Sequence, residues 1–254
     1  MASIDQSSDI EVLEEEIEKV SSPETLSIWG LAWPSILANI LFAAVGIVGL
    51  KAVGALGTEA LAAVGTGQRI FFVIQSLIMA VSTGTTALIA RAYGSGKKNE
   101  AAQVLFDSLW IGVVLGLFTT FIVWIYGEGI IGLFGLNEQS KNLAIDYLKY
   151  SMLFSAMFSA SFIFGAALRA AGDAKTPLVI MIFQNIINVF LLIGLVNGSF
   201  GLPNLGVLGA ALAWGISFTI GTIIFFFLWL SKLTIIPFPK FNSFSTNRIK
   251  LILK

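Results

Sequence analysis

Polar side chains inside long apolar stretches are the residues of this chain whose types could bind a solute or bond helices together. Eight of them stand out: Asn39, Gln68, Arg69, Gln75, Asp107, Gln184, Asn185 and Asn188. A polar group in apolar surroundings is costly unless it faces a cavity or bonds a neighbouring helix. The chain has no cysteine and no histidine, which excludes thiolate nucleophiles, Ser-His-Asp triads and zinc sites built on those ligands. We therefore predict no catalytic and no metal-ligating residue.

Gln184 and Asn188 lie four residues apart, which places them on one face of a helix with Asn185 beside them. That face predicts either the wall of a solute cavity or amides that only bond neighbouring helices, and the sequence leaves both interpretations open. Together with Asn39 and Gln68, Gln184 and Asn188 form the predicted substrate-binding set.

Three other residues of the apolar stretches have different predicted roles. Arg69 and Asp107 fall near helix ends, so we expect both at the membrane interface, with Asp107 close enough to water to stay ionised. Pro34 lies inside a helix, where it removes a backbone hydrogen bond and favours a hinge. Close helix approach is predicted at a set of glycines: Gly46, Gly49, Gly54, Gly57, Gly112 and Gly116.

The composition indicates that membrane-crossing helices position these residues. Of 254 residues, 56% are apolar and 12% are charged, and the mean hydropathy is +0.88. No ionisable residue occurs from Thr176 to Ser231, a run that suffices for two crossings of about 20 residues each. The net charge is zero, without the basic patch that a nucleic-acid partner requires. Composition thus excludes a soluble enzyme, a disordered chain and a nucleic-acid binder.

The predicted fold is all-α, a polytopic membrane protein with six transmembrane helices. Apolar length places these helices at residues 27–50, 61–90, 104–126, 148–169, 177–197 and 205–230. Their connections are short, so we expect sequential helices to be neighbours. This bundle, residues 27–230, follows an acidic cytoplasmic tail, residues 1–26, and precedes a cytoplasmic linker, residues 231–254. The tail is either a solvated segment or an amphipathic helix that binds a partner.

The distribution of Lys and Arg predicts that both ends of the chain lie in the cytoplasm. With the N-terminus inside, eleven basic residues fall on the cytoplasmic side: Lys19, Arg91, Lys97, Lys98, Arg169, Lys175, Lys232, Lys240, Arg248, Lys250 and Lys254. Three fall on the outer side: Lys51, Lys141 and Lys149.

Five stretches resemble the multidrug and toxic compound extrusion (MATE) transporters in order and spacing. They are Leu31-Ala-Trp-Pro34, the run from Val53 to Gly65, Ala90-Arg-Ala-Tyr-Gly-Ser-Gly-Lys97, the run from Leu168 to Pro177, and Asn204-Leu-Gly-Val-Leu-Gly-Ala-Ala211. They cover residues 30–230, and the candidate branch is the one related to DNA-damage-inducible protein F.

This resemblance implies two six-helix bundles around a central cavity, in a bacterial inner membrane. Such transporters export cationic or amphipathic compounds by exchange for protons or sodium. The chain would supply the N-terminal bundle, cut before a seventh helix, with no bound cofactor. Its partners would be a small-molecule substrate, the lipid bilayer and the missing C-terminal six-helix lobe.

Two acids that the resemblance leads us to expect are missing. The family commonly has an Asp late in the first helix, where this chain has Gly49. Another commonly follows the fifth-helix Asn by four residues; Asn188 is present here, but that position is Leu192. A proton site requires a carboxylate whose pKa burial can raise. We therefore expect the coupling group in the missing half.

Export by alternating access is the leading hypothesis. The alternatives are a flippase of the wider superfamily that moves lipid-linked sugars, and a non-transporting scaffold or receptor that uses the acidic tail. An enzyme is disfavoured because the spans hold neither paired carboxylates nor metal ligands.

Overall fold

The computed structural model describes residues 28–238 and Ile252, with side chains from Ala32 onward. The predicted acidic tail and most of the predicted linker lie outside the described residues. The helices are α1 (Ile28–Gly54), α2 (Thr58–Gly94), α3 (Lys98–Gly132), α4 (Glu138–Leu153), α5 (Ser155–Ala170), α6 (Lys175–Asn197) and α7 (Gly206–Leu230). No strand occurs in this part of the chain, and the all-α prediction is confirmed.

Five of these helices are individually long and apolar enough to cross a membrane. The other two, α4 and α5, pass the same test only as a pair, and they are bent by 52° where they meet. Counting that pair as one span gives the six spans that the sequence predicts. The sequence predicts the fourth span as one helix over residues 148–169. In the structure this span begins at Glu138 and is broken at Phe154.

The early start of α4 has a local cause. The side chain of Asn137 accepts a hydrogen bond of 2.8 Å from the backbone nitrogen of Ser140, which caps the first turn. The first turns of α4 carry Glu138, Lys141 and Asp146, so a prediction from apolar length alone does not include these turns in the span.

The break between α4 and α5 is held against α3 by hydroxyl groups. The Ser155 hydroxyl donates to the Gly116 carbonyl at 2.6 Å and lies 2.9 Å from the Thr120 hydroxyl, which also bonds the Met152 carbonyl. These bonds tie the end of α4 and the start of α5 to the middle of α3. Gly116 permits the close approach, because a Cβ at this position would lie 2.6 Å from the Cα of Ala156.

The predicted glycine contacts are therefore confirmed in α3 and wrong in much of α1. Gly112 packs under Ser159 of α5 just as Gly116 packs under the break, whereas Gly46 and Gly54 face open space. Gly57 instead begins α2 with φ +110°, a conformation that a residue with a side chain rarely adopts.

Helix packing departs from chain order. α1 packs chiefly against α6 and much less against α2, and the bent fourth span contacts α2, α3 and α7. The expectation that sequential helices are neighbours holds for α2 with α3, for α3 with the fourth span and for α6 with α7, whereas the contacts of α1 with α2 and of the fourth span with α6 are small. The largest apolar core lies between α2, α3, α5 and α7. A second core joins α1, α2 and α4 to α6 and α7.

Candidate functional site

A stripe of α6 faces α1 and carries two of the amides singled out in the sequence. Asn185, Asn188 and Leu192 follow one another at i, i+3 and i+7, which is one side of a helix, and Leu192 contacts α1 at Gly49. Asn188 is buried, and the buried Nδ2 of Asn185 has no hydrogen-bond partner among the described residues. An unpaired buried donor is costly, and Asn185 shares this state with the Nε2 of Gln75 on α2, so either amide could bond an acceptor that reached it.

Gln184 lies one turn before Asn188 on the buried side of α6 and is used within the bundle. Its Nε2 donates to the Ser161 hydroxyl of α5 at 3.0 Å, and its side chain fills the space left by Gly221 of α7. The residue is 5% exposed. A solute could reach Gln184 only by displacing one of these neighbours, so the structure favours the packing interpretation for this amide.

The other two predicted binding residues are not brought to α6 by any hydrogen bond among the described residues. Asn39 is exposed on α1, and its side-chain nitrogen donates to the Ser35 carbonyl one turn earlier, at 2.9 Å. Gln68 is exposed on α2, where its side chain lies beside the hydroxyl of Tyr147 of α4. Pro34 is buried within an α1 that continues on both sides of it. The four residues of the predicted substrate-binding set therefore lie on three different helices, α1, α2 and α6.

The expectation that Asp107 lies near water is wrong. Asp107 is 2% exposed, because α3 begins at Lys98 rather than at residue 104 and Asp107 faces its packed side. The next residue, Ser108, accepts a hydrogen bond of 2.8 Å from Thr85 of α2. Among the described residues, no three acidic side chains gather as a metal site would require.

An aromatic cluster of α2, α5 and α7 was not predicted from the sequence. Its rings are Phe71, Phe158, Phe162, Trp214 and Phe218. Trp214 lies 4.7 Å from Phe71, 5.3 Å from Phe158 and 4.7 Å from Phe218 between ring centroids. All but Phe158 are half-buried, so ring surface remains accessible. The i, i+4 spacing within α5 and within α7 was a signal that could have found this cluster.

Phe162 also borders an open cleft of about 420 Å³ between α2 and α5. Hydroxyl groups of α2 and the Arg169 side chain of α5 line this cleft. The sequence predicts that Arg169 lies on the cytoplasmic side but gives it no place in a cleft, since no spacing pattern connects it to residues on α2.

Comparison with known proteins identifies the family. A family model described as MatE matches residues 34–193, well over half of the chain. The chain belongs to the MatE family.

The curated relatives of this MatE chain are longer than it is, a little under twice its length. It is 31% identical over 192 residues to the probable multidrug resistance protein NorM of Thermotoga maritima, covering 75% of this chain and 41% of the relative. It is 34% identical over 203 residues to the probable multidrug resistance protein YoeA of Bacillus subtilis, covering 78% and 43%. The chain thus spans about two fifths of these relatives.

Solved structures show the same fold. A transporter of the MOP superfamily from Pyrococcus furiosus matches with a TM-score of 0.81 at 24% identity, covering 88% of this chain and 49% of that one. An inward-facing MATE family transporter matches with a TM-score of 0.75 at 25% identity, covering 82% and 47%. Together with the apolar spans, these findings make the MatE chain an integral membrane protein of a transporter family.

Proposed function

We propose that this chain is the N-terminal lobe of a secondary active transporter that exports cationic or amphipathic small molecules by alternating access. The aromatic cluster carries this proposal, because ring faces attract organic cations and also bury apolar groups. Such contacts place few demands on the geometry of a ligand, which suits a substrate range of several compounds. The names of the NorM and YoeA relatives support the proposal.

A second six-helix lobe would complete this transporter. α1 is the least covered of the long helices, with 6% of its most apolar window buried against 28–39% for the others. Large apolar side chains are exposed on it, with Trp33, Ile40 and Ile47 along one face and Phe42 on the opposite side. Such side chains require lipid or another helix against them. We propose that helices of the missing lobe supply part of this cover.

The driving force in this proposal is a proton or sodium gradient, and its coupling group lies in the second lobe. The contact of Gly49 with Leu192 supports this location, because it fills with apolar atoms the place where the family commonly has acids. Asn185 and Asn188 lie on the same stripe and would bond polar groups of the substrate. Pro34 would allow α1 to bend as the lobes exchange access.

We also infer that the protein resides in the inner membrane of a bacterium with both ends of this chain in the cytoplasm. The bacterial relatives support the first inference, and the surplus of Lys and Arg on one side supports the second.

A matched pair of tryptophan variants tests export directly in cells that express the intact protein. Trp214→Leu removes a ring from the aromatic cluster, and Trp124→Leu removes an exposed ring from the outer side of α3. We expect Trp214→Leu to lower efflux of ethidium by roughly 2- to 30-fold, the range that a lost cation–π contact implies. Trp124→Leu should leave efflux near the wild-type rate at equal membrane abundance. Equal efflux by both variants would contradict the role of the cluster.

The flippase and scaffold alternatives give different results with the same protein. Purified intact protein in vesicles would move a fluorescent lipid-linked sugar between leaflets if it were a flippase. A scaffold would move neither that lipid nor ethidium.

A further inference from the structure

The cleft between α2 and α5 combines one cation with an apolar wall. Arg169 is its single charged lining residue among the described residues, while Met79 and Phe162 line its apolar side. Under the predicted topology α2 and α5 both end at the cytoplasmic side, so the cleft opens in the cytoplasmic half of the bilayer.

The Arg169 side chain is exposed and lies along α5. Its Nη1 lies 3.2 Å from the position that a Cβ on Gly165 would occupy, so the guanidinium runs back along α5 by one turn. A long basic side chain at a helix end usually extends outward to the interface. Here the absence of a side chain at Gly165 leaves room for the opposite direction, which brings the charge into the cleft.

No ion pair neutralises this guanidinium within the part of the chain that the structure describes. A cation at membrane depth without a counter-charge is unfavourable. An arginine presents five N–H donors in a planar fork that fits a phosphate or carboxylate with two parallel bonds.

The α2 side of the cleft adds one donor and two acceptors. Thr83 and Thr86 donate their hydroxyl hydrogens to the carbonyls of Met79 and Ser82, at 3.0 and 2.9 Å, which leaves only their oxygen lone pairs available. The Ser82 hydroxyl makes no hydrogen bond within the described residues and remains free to donate. Arg169 and Ser82 can therefore donate to an anion from opposite walls.

We propose that this cleft binds an anionic amphiphile, with its phosphate or carboxylate on Arg169 and Ser82 and its hydrocarbon chain along Met79 and Phe162. The ligand chemistry is shared by an anionic phospholipid of the bilayer and by a free alkyl phosphate or fatty acid. This binding does not depend on export and would occur in a protein that transports nothing.

The test uses the purified intact protein in nanodiscs of phosphatidylcholine and measures equilibrium binding of radiolabelled dodecyl phosphate. Arg169→Gln should weaken binding at least about tenfold, the effect of losing a charge-assisted pair of hydrogen bonds. Arg169→Lys should weaken it less, because the charge remains and only the fork is lost. Ala170→Phe at the rim of the cleft should also weaken binding, without removing any charge. Arg91→Gln, an exposed cation of α2 outside the cleft, is the matched control and should bind as the wild type does.

Two further ligands identify the source of the amphiphile. Inorganic phosphate should compete poorly because it has no chain to bury. Phosphatidylglycerol added to the nanodisc should displace dodecyl phosphate if the occupant is a bilayer lipid, whereas failure to displace it would indicate a soluble amphiphile. Equal binding by the wild type, Arg169→Gln and Ala170→Phe would overturn the proposal. An equal loss in Arg91→Gln would overturn it too, because binding would then follow surface charge in general.

Discussion

Gly49 of α1 and Leu192 of α6 face each other, and a Cβ built on Gly49 would lie 3.9 Å from the Cδ2 of Leu192. In the sequence these were two separate departures from the family, 143 positions apart by residue number (192 minus 49). The structure brings them to one place in the core between α1 and α6, where Leu192 is 5% exposed. An apolar contact there contains no group that could take up or release a proton.

Coupling should therefore survive the loss of the one buried acid that the described spans contain. Asp107 lies on α3, which packs against α2, α4 and α5, while the stripe with Leu192 lies between α1 and α6. We expect Asp107→Asn to leave the dependence of export on the driving gradient unchanged, measured with the intact protein in vesicles. Loss of that dependence at normal abundance would locate the coupling group in this lobe.

The asparagine stripe gives a second prediction. Asn188→Leu removes a buried amide from the α1 side of α6, and export should fall roughly 2- to 10-fold, the range for one lost hydrogen bond. Asn197→Leu is the control, since Asn197 is exposed at the end of the same helix. The rates are compared at equal membrane abundance. If Asn188→Leu exports at the wild-type rate, the amides only hold helices together.

The broken fourth span predicts a difference between two glycines of α3. Gly116→Ala would place a Cβ 2.6 Å from backbone atoms of Ala156, which cannot shift without moving α5, so we expect a loss of about 1–3 kcal/mol. Gly129 has open space around it, and Gly129→Ala should be neutral or stabilise the helix by about 0.5–1 kcal/mol. Thermal unfolding of the intact protein in detergent measures both. Equal melting temperatures would contradict the close approach of α5 to α3.

Topology is tested by single cysteines in a cysteine-free intact protein. Lys97→Cys and Asn242→Cys should be protected from an impermeant thiol reagent in whole cells, and Ser199→Cys should react. Asn242 lies outside the described residues, and the other two lie in connections between helices. If only Lys97→Cys and Asn242→Cys reacted, the orientation would be the opposite of the predicted one.

Much of this fold could be predicted from apolar length, because a bilayer sets the number of apolar residues that each span needs. The fourth span could not, since its break depends on hydrogen bonds from Ser155 to Gly116 and Thr120 of α3, which no local pattern reveals. The same limit explains Asp107: its place near a predicted helix end suggested contact with water, whereas its burial depends on which neighbours pack on α3.

The candidate site was predicted only in part, for a related reason. Helical spacing put Gln184 and Asn188 on one face, and both are buried on α6. Spacing could not show that Gln184 bonds Ser161 and fills the space beside Gly221. Asn39 and Gln68 were grouped with them by residue type, which carries no information on distance. The assignment to a branch of the family and the substrate roles of these residues stay predictions.

Gradient-driven transport by the purified intact protein tests the proposed function most directly. The measurement is uptake of ethidium into vesicles of inverted orientation, with a proton gradient and a sodium gradient imposed separately. We expect uptake against the ethidium gradient with one of the two ions, and its collapse when an ionophore dissipates that ion gradient. Ethidium that only equilibrates, at a rate equal to that of protein-free vesicles under both gradients, would contradict the proposal that this chain is one lobe of a secondary active exporter.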